Sequence, residues 1–144
     1  MISAEHEVIL RSTAQALWPL LFNIEQWPQW NPSIHRVGLQ GPIQVGCLFK
    51  WKYLNFNFDS EIYTLKHQDR MAFTLKRLGS HGNLMIRLTP VHTGVHIKLR
   101  GQLHGLLPTI FKRRSKRQLD KMLQTFLNRV ARTVKTGIPT TPSR

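Results

Sequence analysis

The sequence predicts an α+β domain in which an antiparallel sheet, apolar on one face, closes on a single long C-terminal helix. Three observations carry this expectation. Between residues 45 and 105, apolar residues recur at every second position in one run after another. From Thr109 to Lys135 the period lengthens to that of an amphipathic helix. Neither surface can bury its apolar side alone, so each needs the other, and a curved sheet gripping a helix is the economical solution.

The elements follow in order. Residues 3–11 (SAEHEVILR) read as a strand, with Ala4, His6, Val8 and Leu10 on one face and Ser3, Glu5, Glu7, Ile9 and Arg11 on the other. Ser12 or Thr13 can cap a short helix over 14–22 (AQALWPLLF), where Ala16, Leu17, Leu20 and Leu21 recur at helical spacing. Pro19 falls inside that pattern, so the helix should start near it or kink there. Pro28 and Pro32 then break 23–32 (NIEQWPQWNP) into short turns.

The chain next becomes strand-like. Residues 45–54 (VGCLFKWKYL) place Cys47, Phe49, Trp51 and Tyr53 on one face, with Lys50 and Lys52 opposite. Residues 56–62 (FNFDSEI) alternate Phe56, Phe58, Ser60 and Ile62 with Asn57, Asp59 and Glu61, and a tight connection at Asn55 makes the two runs a hairpin. Further strands are expected at 71–77, 83–89 and 94–105, with apolar sets Met71, Phe73, Leu75; Leu84, Ile86, Leu88; and Val95, Ile97, Leu99, Leu103. Turn signals separate them at His67–Arg70, Gly79–Gly82 and His92–Gly94. On the final helix, Phe111, Leu119, Met122, Leu123, Phe126, Leu127, Val130 and Val134 mark one stripe. Gly137 and Pro139 stop it, so residues 1–136 read as the domain and 137–144 as a flexible tail.

Composition bounds the function. A chain of 144 residues, 41% of them hydrophobic, suits one domain with a core and room for an internal cavity. No apolar run reaches the roughly 18 residues of a membrane span. The start, MISAEHEVIL, carries charges where a secretory signal needs an apolar segment, which points to a soluble, cytoplasmic protein, peripheral at most to a membrane. Cys47 is the only cysteine, which excludes an internal disulfide and a cysteine-based zinc cluster. The histidines form no H-x-x-x-H pair on a helical face, so neither metal nor cofactor is expected. The formal charge of +14, from 21 Lys+Arg against 7 Asp+Glu, favours polyanionic partners.

The segments 14–32 (AQALWPLLFNIEQWPQWNP), Gly46 with Phe49, and 70–73 (RMAF), with the closing helix, resemble the SRPBCC superfamily, the START-like or birch-allergen-like helix-grip proteins. Within it they look most like the polyketide cyclase/dehydrase group, whose members show an A-x-x-x-W-x-x-L segment followed by a W-P-x-W-N-P turn. The resemblance implies a helix-grip fold: about seven strands wrapped around the C-terminal helix, with two short helices after the first strand. It also implies a cavity between sheet and helix, one end closed by the short helices. Trp27 and Trp30 would then supply bulk there, either as core and lid packing or in contact with a ligand, while Pro28 and Pro32 hold the turn.

The inward sheet face is almost free of ionisable groups. Trp27, Trp30, Phe49, Trp51, Tyr53, Phe58, Ser60, Phe73, Ile86, Ile97 and, from the helix, Phe126 are the candidates to line a pocket; a solid core is the alternative for many of them. General acid–base catalysis needs a titratable group within reach of substrate. The sheet offers only His6 and Tyr53 as proton carriers, because Asp59, Glu61, Glu5 and Glu7 alternate outward. The two N-terminal glutamates are expected to pair with Lys98 and Arg100, since first and last strands are neighbours in the family.

The start of the last helix, 106–121 (LLPTIFKRRSKRQLDK), joins an apolar patch to Lys112, Arg113, Arg114, Lys116, Arg117 and Lys121. Cations there oppose the helix dipole by roughly 0.3–1 kcal/mol each, so something other than helix stability favours them. The cluster is either a solvated face or a contact for an anionic membrane. With Lys50, Lys52, Lys76, Arg87, Lys98 and Arg100 it would also suit nucleic acid phosphates, but no aromatic residues interleave on that outer face to stack bases. The leading expectation is binding, and with it transport, of a hydrophobic or amphipathic small molecule such as a lipid or polyketide. A cyclase- or dehydrase-type enzyme working in the same cavity, and a basic interaction module with a filled core, are the alternatives.

Overall fold

The computed structural model describes residues 1–136; the expected tail at 137–144 lies outside the described residues. Seven antiparallel strands form one sheet in the order β1-β7-β6-β5-β4-β3-β2. They are β1 (Ile2–Leu10), β2 (Ile34–Gln40), β3 (Leu48–Tyr53), β4 (Phe56–Lys66), β5 (Arg70–Arg77), β6 (Ser80–Val91) and β7 (Gly94–His104). Two short helices, α1 (Ala14–Phe22) and α2 (Trp27–Trp30), follow β1, and α3 (Leu106–Ile110) and α4 (Lys112–Thr136) close the chain. This is the expected helix-grip architecture.

Each predicted strand is present, with boundaries moved for identifiable reasons. β2 was not located by the residue pattern, although the resemblance implied about seven strands. It is an edge strand, and a register shift between Ile34 and Arg36 breaks its alternation, so it buries only Ile34 fully. β3 starts at Leu48 because Gly46 turns the chain at φ 94° and donates its N–H to the Ile62 carbonyl at 2.7 Å. β6 begins at Ser80, so the turn expected over Gly79–Gly82 shrinks towards Gly79. Gly82 is instead a ladder residue: a Cβ there would stand 1.8 Å from the Gln102 carbonyl oxygen.

Helix α1 starts where Thr13 accepts a hydrogen bond from the Ala16 N–H at 3.1 Å, and it runs on through Pro19. The long C-terminal helix is two helices. Phe111 leaves helical geometry at φ −110° and ψ 57°, so α4 begins at Lys112 and Phe111, expected on the buried stripe, is 49% exposed. The rest of the stripe lies as read: Leu119, Met122, Leu123, Phe126, Leu127 and Val130 are buried, and Val134 partly so. Gly101 in β7 lets α4 come close, since a Cβ there would meet Leu119 Cδ1 at 2.9 Å. On the outer face Glu5 pairs with Lys98 at 3.6 Å and Arg100 at 3.8 Å, whereas Glu7 takes His96 at 2.9 Å. Both glutamates were expected on Lys98 and Arg100; Glu7 lies within reach of the His96 ring on the adjacent β7 position.

Candidate functional site

The layer between sheet and α4 is built from rings. Trp27 is fully buried and donates its indole N–H to the Leu21 carbonyl at 3.1 Å. Its ring meets those of Phe49, Trp51, Phe73 and Phe126 at centroid distances of 5.4–6.4 Å, mostly edge to face. Trp30 packs on Phe126 at 5.0 Å. Trp51 donates to the Ser60 hydroxyl at 3.0 Å and stacks on Phe58 at 5.0 Å. Ile86 and Ile97 are buried in the same core. These rings leave a void of only about 10 Å³, bordered by Trp27, Asn31, Trp51, Tyr53, Phe73 and Phe126 among others. Two buried donors of the 27–31 turn, Trp30 Nε1 and Asn31 Nδ2, the latter residue bordering the void, have no protein acceptor among the described residues.

A larger open space lies further along. A groove of about 270 Å³ runs between the β4, β5, β6 and β7 side of the sheet and the α3–α4 junction. Its apolar surface comes from Phe56, Phe58, Leu103, Leu107 and Phe111, and its polar groups from Arg77, Ser80, Arg114, Ser115 and Gln118. Phe58 faces the groove while its stacking partner Trp51 faces the small void, so this ring pair stands between the two spaces. Helix α3 is fastened over the β5–β6 turn by the Leu107 N–H, which donates to the Gly79 carbonyl at 2.9 Å.

Arg77 is the informative polar residue. It continues the Met71, Phe73, Leu75 alternation of β5 and so points to the apolar side. Its guanidinium lies 4.5 Å above the Phe56 ring, and partial burial pulls its pKa below the usual arginine value. Among the described residues no carboxylate lines the groove. The sequence carried the signal: the inward set of β5 extends one step beyond Leu75. Arg114, read as part of the basic surface cluster, reaches the groove as well.

The other candidate residues fall into distinct places. Of the residues expected to line a pocket, Phe58 borders the groove; Trp27, Trp51, Tyr53, Phe73 and Phe126 border the small void. Trp30, Phe49, Ile86 and Ile97 pack into the core, and Ser60 holds Trp51. His6 does face α4, but its Nε2 lies 3.3 Å from Asp120 Oδ1, a carboxylate of the helix that sheet alternation does not reveal. Burial pushes the Tyr53 phenol above its ordinary pKa, partly offset by a hydrogen bond with Thr125. Lys112, Arg113, Arg114, Lys116 and Arg117 are exposed, as is Lys121, and Lys116 pairs with Asp120 at 3.6 Å. Beside them Leu106 and Ile110 are more than half exposed. No helix of the described residues is long and apolar enough to cross a membrane.

The comparisons with known proteins agree with this fold. The sequence model of a family described as polyketide cyclase / dehydrase and lipid transport matches residues 1–135. A START superfamily protein from Mycobacterium smegmatis superposes with a TM-score of 0.76 at 12% identity, covering 93% of this chain and 97% of that one. A di-domain ARO/CYC from the steffimycin biosynthetic pathway gives a TM-score of 0.78 at 13% identity, covering 94% of this chain and 51% of that one. Norcoclaurine synthase from Thalictrum flavum, in complex with dopamine and hydroxybenzaldehyde, gives 0.74 at 12% identity, covering 96% and 88%. At such identities the likeness shows the fold alone. A search of curated protein sequences finds no match.

Proposed function

Because the chain belongs to the polyketide cyclase / dehydrase and lipid transport family, we propose that it binds a small hydrophobic or amphipathic molecule between its sheet and its C-terminal helices. The observation that carries this reading is the 270 Å³ groove, just under the roughly 300–1,000 Å³ of small-molecule sites and similarly floored by aromatic and aliphatic side chains. Burying a ligand against Phe56, Phe58, Leu103 and Leu107 would release water from all of them, worth about 25 cal/mol per Å² of apolar surface covered. His6 is engaged with Asp120, and Tyr53 borders the small void, so neither titratable candidate lines the groove. That supports binding over acid–base chemistry at this site.

The test is native mass spectrometry of protein purified from its own cells, run under native and denaturing conditions. A small adduct that survives the first and is lost in the second supports the reading and gives the ligand class. Gln118→Trp, which puts a large ring on the groove wall, should abolish the adduct with the fold intact. An empty protein that also shows no thermal shift across a panel of lipids and polyketide acids would overturn it.

A second reading, contact with an anionic membrane, is favoured by one observation: exposed Leu106, Ile110 and Phe111 adjoin Lys112 and Arg113 in the chain, and Phe111 also lines the groove. Apolar side chains would enter the headgroup layer and each cation would add up to about 1 kcal/mol. Co-sedimentation with vesicles checks it: binding should need phosphatidylserine and disappear in Leu106→Ser/Ile110→Ser.

A further inference from the structure

We infer that the groove's ligand carries an anionic head group, held between the guanidiniums of Arg77 and Arg114, on a single short apolar body. The inference rests on the ligand-binding reading above and specifies its chemistry. A cation on the apolar side of a sheet is costly unless something opposes its charge, and partly buried arginines normally find a carboxylate. Arg77 has none: it lies over Phe56, and among the described residues no Asp or Glu borders the groove. The ring face offsets part of the cost without neutralising the charge. Arg114 brings a second guanidinium to the same space from the first turn of α4, where the helix dipole makes a cation unfavourable. Two unopposed guanidiniums on one groove, each a planar fork of donors, suit a carboxylate or phosphate oxygen pair.

The rest of the groove sets the body of the ligand. Phe56, Phe58, Leu103 and Leu107 offer an apolar floor, and a volume of about 270 Å³ admits one short chain or a small ring system but not a two-chain lipid. The chemical class is therefore a free medium-chain or aromatic acid, or its phosphate counterpart.

Titration calorimetry with decanoate below its micelle concentration, decanol and decyl phosphate, on the full chain, tests the inference. Both anions should bind at least about tenfold more tightly than the alcohol, the discrimination expected of a charge-assisted hydrogen-bonded pair. Arg77→Gln and Arg114→Gln should each erase most of that ratio while leaving decanol affinity unchanged. Arg114 is exposed, so its variant reports even if Arg77→Gln folds poorly. Lys76→Gln removes the same charge from the opposite face of β5 and should leave the ratio intact. Equal binding of decanol and decanoate, or equal damage from Lys76→Gln and Arg77→Gln, overturns the anion assignment while the apolar site stands. Failure of all three probes to bind overturns the site itself.

Discussion

Changing each tryptophan of the 27–30 turn to phenylalanine separates two contributions that look alike in the sequence. Both indoles are buried, and both pack on Phe126. They differ at the nitrogen: Trp27 donates to Leu21, whereas the Trp30 N–H has no protein acceptor among the described residues. Trp27→Phe removes a hydrogen bond and leaves the Leu21 carbonyl without that donor, a loss of about 1–3 kcal/mol. The smaller ring also weakens contacts with four aromatic neighbours, so the total should reach roughly 2–4 kcal/mol, against about 5–15 kcal/mol for a typical domain. Trp30→Phe weakens contact with a single ring, Phe126, and removes a desolvated donor, and the two changes oppose one another; a cost of about 0–1 kcal/mol is expected. Urea unfolding followed by far-UV circular dichroism measures both, with the m-value unchanged. If Trp30→Phe costs as much as Trp27→Phe, its N–H is satisfied in solution and the reasoning fails.

Three further outcomes follow from the packing and the charges. Gly101→Val should push α4 away from β7 and destabilise by about 1–3 kcal/mol, read by thermal melting; Leu119→Ala in the same chain should recover part of it. Lys112→Glu with Arg113→Glu replaces cations by anions in the first turn of α4, so the protein should gain about 1 kcal/mol while losing vesicle binding, measured by melting and co-sedimentation. The Tyr53 phenol has a raised folded pKa, so its contribution is fully present below the unfolded value near 10 and is lost as pH rises through the folded one. Stability of wild type should therefore fall faster than that of Tyr53→Phe above about pH 10, in urea titrations at stepped pH.

How much was legible in the sequence depended on whether a residue obeyed one periodicity. Strands β3 to β7 bury one face, so Phe49, Phe73, Ile86 and Ile97 announced themselves, as did the Leu119–Val130 stripe. β2 did not, because an edge strand with a bulge at His35 buries too little to leave a pattern. The break at Phe111 was hidden because its side chain suits the helical stripe; the backbone departs there, and hydropathy does not report backbone. The groove was harder still. It is made where α3 packs over the β5–β6 turn, a tertiary placement, although the extension of the β5 alternation to Arg77 was visible. The difference between a 10 Å³ void and a 270 Å³ groove depends on how rings nest, which composition does not encode.

The placement of the acidic side chains ties the groove to the charge imbalance. The chain has 7 of them against 21 Lys and Arg. Glu5 and Glu7 are paired across β1 and β7, Asp59 with Lys50, and Asp69 with Lys66 and Arg70. Asp120, on α4 itself, is shared between His6 and Lys116. Four of the seven are thus engaged on the outer sheet face and at the β4–β5 turn, and among the described residues none of the seven borders the groove, so its mouth keeps a positive field. A field of that kind acts on an anion mainly through its association rate, and salt screens it over about 10 Å at 0.1 M. Stopped-flow binding of decanoate should therefore slow with salt while its dissociation rate, governed by Arg77 and the aromatic floor, changes little. Arg117→Gln, outside the groove, should lower only the association rate; Arg77→Gln should raise the dissociation rate. If both variants act on the same rate constant, steering and retention are not separate properties of this end of the fold.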